Sequence, residues 1–394
     1  NIVVDVAAFE ENCLRDVARS ETEAVFSSDE DNFTLNGEKC FINGESATHF
    51  LVFAKTDTPV QVDGEAKLVR KLTCFLVPKS AEGVKVVNGD KLVLKNVILT
   101  AADVLGTAGD AYKDLMIAQH NFNYIFAASV LGLVRALPTE ILSAHHLSSI
   151  YAAESALYAV TANLDKPVDD NLIESCLVAF GMSATMDGIL ADTLPTPSWS
   201  TEQCNDFARI SKMFNDFKGQ NENTNILRMV AATCGVEEFG LYFKQASTME
   251  TIQLRTLRSI GIKDKLNGIA ASSQTAALET VIVRLAEATE SCFVRHTQRA
   301  LDQQLMLHRL AEANQHIYFA VTSLARAKVA GALKSSTAES EKLLSEAYAA
   351  NAVGEATVLC SEVVSSGSTP DETYSRMAAG VCDQVVKARM VKLE

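Results

Sequence analysis

A change in residue pattern near Gly106 divides this sequence into two parts with different secondary structure. Before it, residues 23–105 contain short β-branched and aromatic runs, such as residues 50–53 and 72–77, separated by polar turns. After it, apolar residues recur at helical spacing almost to the end of the chain. The pattern therefore predicts a small antiparallel β-domain followed by a larger helical part, an α+β fold that is mainly α.

Two local features refine the β-part. Asn36-Gly37 lies between two extended runs, and this dipeptide is typical of a tight hairpin turn. Residues 1–22 show no turn signal of their own and are predicted to be a remnant helical segment, too short for a domain.

Breaks in the helical periodicity predict the helices that follow. Residues 112–137 and 146–164 form two helices, the first ended by Pro138, and residues 171–186 begin another. Residues 190–203 contain two prolines and the only Trp, so they are predicted to be an irregular loop. Helix resumes near Cys204 and is predicted to continue through Arg228 to about Lys244.

The last block is almost entirely helical and has two apolar stripes, which are more often core than binding surface. The stripes are Leu278, Ile282, Leu285 and Cys292, and then Leu310, Ile317, Val321 and Leu324. Residues 367–370 (GSTP) are predicted to close the penultimate helix. We expect a helical bundle over residues 106–262 and a C-terminal helical domain over residues 263–394.

Composition excludes several classes of function. The formal net charge of −14 argues against nucleic acid or an anionic membrane as the main partner, because both require a basic surface. The nine cysteines are scattered without a C-x-x-C pair, which indicates reduced thiols in a reducing compartment. His145 and His146 are adjacent and point to different sides of a helix, so no metal site is expected. No uninterrupted apolar run approaches the length of a membrane span.

Several stretches, in order, resemble the acyl-CoA dehydrogenase family. Residues 33–44 (FTLNGEKCFING) are similar to a hairpin of its β-domain, residues 52–56 to the next strand, and residues 104–106 with Gly109 to the entry of its helical bundle. The very-long-chain branch, which includes a paralogue that assembles respiratory complex I, is the best match for three further segments. These are residues 151–165, 304–312 and 324–327. The resemblance covers most of residues 23–394 and implies the family's fold.

The position of the family's catalytic base is changed. Residues 220–228 (QNENTNILR) are similar to the family's Glu-Gly-Thr-Asn-Asp-Ile-Leu-Arg segment, and alignment on its last three residues puts Asn221 at the base. An amide has no ionised form that takes a proton from carbon. Glu222 is the neighbouring carboxylate that could substitute, but one residue along a helix rotates a side chain by about 100°, which would misplace it for this role. Arg228 is expected to pack or pair inside the bundle.

The positions that hold FAD in the family are degenerate as well. The resemblance places Phe41 where the family has a Trp over the flavin, followed by Ile42, and Asn43 where it has a hydroxyl residue. The chain between Ser143 and Tyr151 is too short for the Arg-x-x-Phe-Gly segment, and residues 187–203 contain no paired glycines. The N-terminal helical domain is nearly absent. These gaps are either deletions or omitted segments, but omission does not explain the substitutions.

The resemblance then implies a scaffold without dehydrogenase chemistry. Such a protein would be a homodimer on the matrix side of the mitochondrial inner membrane, bound to other complex I assembly factors, with no catalytic residue, cofactor or metal. Its only membrane contact would be through a membrane complex. The alternative is an FAD-dependent long-chain acyl-CoA dehydrogenase of fatty-acid β-oxidation with a remodelled site. A third possibility is a vestigial acyl-CoA binder.

Asp165, Asp169 and Asp170 form a small acidic cluster, which is either a solvated loop or a docking site.

Overall fold

The chain forms two compact units, residues 1–119 and 120–394. The computed structural model describes residues 2–12, 17–40, 42–62, 65–164, 171–193, 196, 198–221, 224–245, 265–266, 269, 272–296, 300–301 and 303–365. Phe41, Glu222, the three aspartates at 165, 169 and 170, and the helix end predicted at residues 367–370 lie outside these ranges.

The first unit is built on an eight-stranded mixed sheet. Its strands are β1 (Val4–Ala7), β2 (Glu23–Ser27), β3 (Asn32–Cys40), β4 (His49–Val62), β5 (Glu65–Pro78), β6 (Val84–Val87), β7 (Lys91–Leu99) and β8 (Val104–Leu105). The order is β6-β7-β3-β2-β4-β5-β8, with β1 also paired to β4. Most neighbours are antiparallel as predicted, but β1 and β2 run parallel to β4.

Alternation along the strands creates the core of this unit. Successive side chains on a strand face opposite sides of the sheet, and one set of alternate residues forms the main core. Phe50 and Val52 on β4, Phe75 and Val77 on β5, and Leu35 on β3 are all fully buried. The β-branched and aromatic runs of the sequence therefore became strands because each could bury one face.

The prediction of helix for residues 1–22 is wrong. Val4–Ala7 forms strand β1 and pairs in parallel with β4, Val4 opposite His49 and Ala7 opposite Val52. Within residues 2–12 and 17–22, helical structure is limited to a single 3₁₀ turn at Val17–Arg19. Three valines in residues 3–6 favour strand, and β4 supplies a parallel partner, whereas a helix this short is marginally stable in water because its nucleation is costly.

The hairpin predicted at Asn36-Gly37 is also wrong, because strand β3 continues through both residues. The register between β3 and β7 shifts between Leu35 and Gly37, which marks a β-bulge. Gly37 has a φ of 151°, and a Cβ atom there would lie 2.4 Å from Thr22 Oγ1. The glycine is thus required by a bulge and a close approach, and the β2–β3 turn lies before Asn32 instead.

The second unit is a bundle of long helices, of which the first begins in the other unit. Those in the described residues are α1 (Ala111–Arg135), α2 (Ala144–Leu164), α3 (Leu172–Asp192), α4 (Thr201–Asn221), α5 (Thr224–Gln245), α6 (Ser273–His296), α7 (Gln304–Ala332) and α8 (Ala338–Val364). The helix predicted from Cys204 to Lys244 is two helices, α4 and α5. The predicted loop at residues 190–203 is shorter, because α3 extends to Asp192 and α4 starts at Thr201.

Both apolar stripes of the last block lie in the core, as predicted. Leu278, Cys292 and Leu310 are buried, and Ile282 and Val321 pack against the same cluster while still partly exposed. Helix α3 is apolar and long enough to cross a bilayer by length and composition, with a mean hydropathy of 1.3. A buried core helix passes the same test, and α3 packs against α2, α5 and α7.

Candidate functional site

The base position falls at a helix end. Asn221 is the last residue of α4, and α5 begins at Thr224, so the segment similar to the family's base motif is divided between two helices. Asn221 has a carboxamide, which cannot act as a general base at carbon. Any catalytic carboxylate would have to come from Glu222 or from a neighbouring helix.

Arg228 is held inside the bundle, as predicted. Its Nη2 lies 3.3 Å from Glu312 Oε1 on α7, and its guanidinium carbon lies 5.0 Å from the ring centre of Phe180 on α3. His308 Nδ1 lies 3.7 Å from the other oxygen of Glu312. Burial lowers the pKa of His308, and Arg228 and Arg309 lower it further against the opposing effect of Glu312. His308 is therefore neutral at physiological pH, and Arg228 supplies the positive charge beside Glu312.

A second carboxylate near the end of α4 is also paired. Lys218, one turn before Asn221, forms a salt bridge with Asp187 on α3. Glu312 and Asp187 each pair with a cation from another helix, so both link helices of the bundle.

Two of the three predicted flavin positions are described. Ile42 is buried in the core of the first unit. The backbone N–H of Asn43 donates a hydrogen bond to Asp5 Oδ2 of strand β1, and the Asn43 side chain is exposed. The exposed carboxamide of Asn43 occupies the position at which the resemblance puts a hydroxyl group.

The segments expected to hold the rest of FAD are replaced by short connections. Helix α2 already begins at Ala144, so residues 144–151 are helical where the family's Arg-x-x-Phe-Gly would lie. Residues 193–200, which connect α3 to α4, contain no glycine. Glycine lets backbone N–H groups approach a phosphate closely. The sequence motifs with which the family holds FAD are therefore not present at these two places.

A buried ion pair in the first unit was missed by the sequence analysis. Lys39 on β3 is fully buried, and its Nζ lies 2.8 Å from Glu10 Oε1 and 3.0 Å from Ser20 Oγ. Glu10 also accepts hydrogen bonds from the backbone N–H groups of Glu21 (2.7 Å) and Thr22 (3.0 Å). A lysine at an inward-facing strand position was the available signal, because lysine is almost never buried without a partner.

A second missed group joins the bundle to the C-terminal extension. Arg326 on α7 lies 3.0 Å from Glu154 of α2 and 3.7 Å from Glu341 of α8. Tyr151 donates a hydrogen bond of 2.8 Å to Glu341, and Arg135 of α1 pairs with Glu154. The sequence shows that Tyr151 and Glu154 share one face of α2, because they are three residues apart. It does not show that their partner is Arg326, which lies far along the chain.

The mixed sheet followed by a helical bundle is the architecture of an acyl-CoA dehydrogenase. A solved acyl-CoA dehydrogenase complexed with FAD from Bacillus anthracis matches with a TM-score of 0.66 at 16% identity, over 95% of this chain and 71% of that chain. Acyl-CoA oxidase 3 from Yarrowia lipolytica matches with a TM-score of 0.60 at 14% identity, over 92% of this chain and 65% of that chain. Likeness at these identities shows the fold.

Sequence comparisons define the family. The acyl-CoA dehydrogenase middle domain matches residues 6–100, and the ACAD9/ACADV C-terminal domain matches residues 270–389. The mitochondrial very long-chain specific acyl-CoA dehydrogenase of Rattus norvegicus is 25% identical, over 91% of this chain and 62% of the relative. That of Homo sapiens is 25% identical, over 87% and 60%. The chain belongs to the acyl-CoA dehydrogenase family, has very-long-chain homologues, and spans about three fifths of their length.

Proposed function

We propose that this chain is a catalytically inactive acyl-CoA dehydrogenase-like scaffold that acts in the assembly of mitochondrial respiratory complex I. The observation that carries the loss of catalysis is Asn221 at the base position. The two carboxylates that might compensate, Glu312 and Asp187, are each paired with a cation. Proton abstraction from carbon requires an accessible base, and none of these three side chains supplies one.

The state of the flavin positions supports the same proposal. Asn43 stands where the family has a hydroxyl residue, residues 144–151 are helical where Arg-x-x-Phe-Gly would lie, and residues 193–200 contain no glycine. FAD, when bound to a dehydrogenase, accepts the hydride that leaves the substrate. A chain that binds no FAD has no acceptor for that hydride.

The role in assembly rests on resemblance. Residues 304–312 and 324–327 are similar to the extension shared by the very-long-chain enzyme and the complex I assembly paralogue, and the ACAD9/ACADV domain match covers the same region. The curated relatives are mitochondrial by name. We accordingly assign the chain to the mitochondrion, on the matrix side of the inner membrane. It would act there as a homodimer with other assembly factors and touch the membrane only through a membrane complex.

The packing of the extension suits a scaffold. Arg326 joins Glu154 of the bundle to Glu341 of the extension, so α2, α7 and α8 share one ionic and aromatic group. A partner that binds the extension would then meet a surface fixed to the bundle. Selection for binding would retain this connection between the extension and the bundle even after catalysis had been lost.

The alternative function is an FAD-dependent long-chain acyl-CoA dehydrogenase of fatty-acid β-oxidation. The names of the curated relatives favour it. It requires Glu222 to act as the base from a position next to the family's, and it requires a remodelled flavin site. Displacement of a catalytic group by about 1 Å can cost on the order of a hundredfold in rate.

Genetic complementation separates the two functions. Cells of the source organism lacking this protein are expected to lose assembled complex I on native gels, and the wild-type chain should restore it. Glu222→Gln should restore it equally well, as should Glu238→Gln, a matched change on α5. If complex I is unaffected by loss of the protein, the scaffold proposal is wrong. Selective failure of Glu222→Gln, with accumulation of long-chain acyl-CoA, would instead establish the dehydrogenase.

A further inference from the structure

Strands β4 and β5 extend beyond the rest of the sheet as a two-stranded arm. Their pairing continues without a shift as far as Val62 opposite Glu65. Among the described residues, the other pairings of β4 end at Lys55, where β2 pairs, and those of β5 end at Cys74, where β8 pairs. Beyond these two points, each strand of the arm therefore has one edge that no described strand covers.

The direction of the backbone groups on both edges follows from one hydrogen bond. The N–H of Lys55 donates to the carbonyl oxygen of Thr22 at 2.8 Å, so the backbone groups of Lys55 point away from β5. In an antiparallel pair this direction alternates from one residue to the next. Pro59, four residues further along β4, therefore also points outward. Leu68, its partner on β5, has its N–H and C=O groups pointing away from β4 in the same way.

The two edges of the arm differ in what they offer to a further strand. Proline has no N–H, so Pro59 interrupts the hydrogen-bond pattern of the β4 edge, which is a common protection of edge strands. The β5 edge presents the N–H and C=O groups of Ala66, Leu68 and Arg70, and residues 65–77 contain no proline. Leu68, at the centre of this edge, is 71% exposed. The β5 edge is therefore the one that can accept a strand.

We propose that the β5 edge pairs with the same edge of a second copy of this chain, antiparallel and centred on Leu68. A two-fold axis at Leu68 sets Ala66 of each copy opposite Arg70 of the other, so the outward groups of all three residues meet partners. Each such pair exchanges two hydrogen bonds, which gives about six in all. Two-fold dimers are the commonest symmetric oligomers. The inference rests on the homodimer of the proposed function, for which it names a contact surface.

The charges of β5 favour this register over those on either side of it. With the axis at Leu68, Glu65 of each copy lies opposite Lys71 of the other, which gives a pair of opposite charges at both ends of the contact. An axis at Lys67 would place two lysines directly opposite each other. An axis at Val69 would place Lys67 opposite Lys71. The register centred on Leu68 avoids such like-charge pairs and brings two exposed leucines together.

Single cysteine substitutions in the whole chain test the pairing and its register. Leu68→Cys should form a disulfide between two copies under mild oxidation, because residues opposite each other in such a pair have Cα atoms about 5.5 Å apart, within disulfide range. Arg70→Cys should not, because four residues of strand, about 14 Å, would separate the two cysteines. Non-reducing gels measure the covalent dimer, and the wild-type chain with its nine cysteines gives the background.

Substitutions at the edge test the contact while the pairing of β4 with β5 is kept. Sedimentation velocity over a range of concentrations should show that Leu68→Lys weakens self-association about tenfold, because a leucine pair is replaced by two like charges. Ile98→Lys is the control, since Ile98 is 55% exposed on β7. Leu68→Pro removes an outward N–H and should prevent the association, whereas Gln61→Pro, at an outward position of the β4 edge, should not.

The outcomes separate this contact from the rest of the proposed function. The contact is overturned, and the scaffold proposal is unaffected, if the chain is dimeric but Leu68→Cys cross-links no more than Arg70→Cys. The same holds if Leu68→Lys associates as strongly as Ile98→Lys. A chain that is monomeric at every concentration overturns the contact and the homodimer together, and the β5 edge would then be open to a strand of a different protein.

Discussion

The guanidinium carbon of Arg326 lies 4.6 Å from the centre of the Tyr151 ring, so a cation of α7 covers an aromatic face of α2. Tyr158 contributes a second ring at 5.3 Å. Arginine combines stacking and forked hydrogen bonding in one planar group, which lysine cannot do. One side chain from the C-terminal extension thereby engages charge and aromatic surface of the bundle at once.

Replacement of Arg326 by lysine is expected to destabilise the helical unit by about 2 kcal/mol, because stacking on two rings and one carboxylate contact are lost together. Urea unfolding followed by fluorescence of Trp199, the only tryptophan, measures the change. Arg209→Lys is the control, since Arg209 pairs with Asp206 in solvent and its loss should cost about 0.5 kcal/mol or less. Equal effects of the two variants would show that the Arg326 group contributes no more to the free energy of unfolding than an exposed salt bridge does.

The buried pair in the first unit predicts a larger effect. Lys39→Met leaves Glu10 ionised and buried without its cation, which should destabilise this unit by about 3–5 kcal/mol. The double variant Glu10→Gln with Lys39→Met should recover part of the loss, because no uncompensated charge remains. Amide hydrogen exchange in strands β3 and β4 measures the stability of this unit directly. Arg70→Met, at an exposed pair with Glu23, should change it little.

The same pair predicts a dependence of stability on acid. Burial raises the pKa of Glu10, but hydrogen bonds from the Glu21 backbone, Lys39 and Ser20 outweigh it and lower the pKa from 4.5 to about 2. Because the unfolded carboxyl binds a proton more readily, the stabilisation is complete above pH 4.5 and is lost as the pH falls towards 2. The shift corresponds to about 3 kcal/mol.

Measured against Glu10→Gln, the wild-type advantage in free energy of unfolding should therefore shrink over this acidic range. A constant difference between the two proteins from neutral pH down to pH 2 would mean that Glu10 is not held ionised by its partners.

Two glycines on α3 should respond in opposite directions to alanine. A Cβ at Gly181 would lie 2.5 Å from Phe319 Cζ and 2.9 Å from Gln315 Cγ, so Gly181→Ala should destabilise by about 1–3 kcal/mol. At Gly188 the space is open, and Gly188→Ala should stabilise by up to about 1 kcal/mol through helix propensity. Unfolding followed by Trp199 measures both. Stabilisation by both substitutions would contradict the close packing of α3 on α7.

The fold was largely predictable because local patterns and burial agree over most of the chain. Leu278, Cys292 and Leu310 are apolar at helical spacing and are buried, since an amphipathic helix must cover its apolar face. The prediction was wrong where long-range pairing decided the outcome. Asn36-Gly37 was predicted to be a hairpin turn, but Gly37 is required because its backbone lies close to the Thr22 side chain. Residues 4–7 were predicted to be helical, but they pair with strand β4.

The candidate site was only partly predictable for a related reason. Asn221 and Arg228 were found from a contiguous motif, and the pairing of Arg228 followed. The Arg326 group joins residues 172 positions apart, which meet only because α2 and α7 are neighbours in the bundle. Such groups have no local sequence signal, because each residue is of a type that is common on protein surfaces, and only the folded bundle brings them together.

The proposed scaffold requires that flavin chemistry has been lost, and the visible absorption spectrum of the purified chain with FAD titrated in tests this requirement. We predict a colourless protein that retains no flavin after gel filtration, even from excess FAD. A flavin band near one equivalent per chain that loses its absorption on addition of long-chain acyl-CoA would contradict the claim and establish a working dehydrogenase.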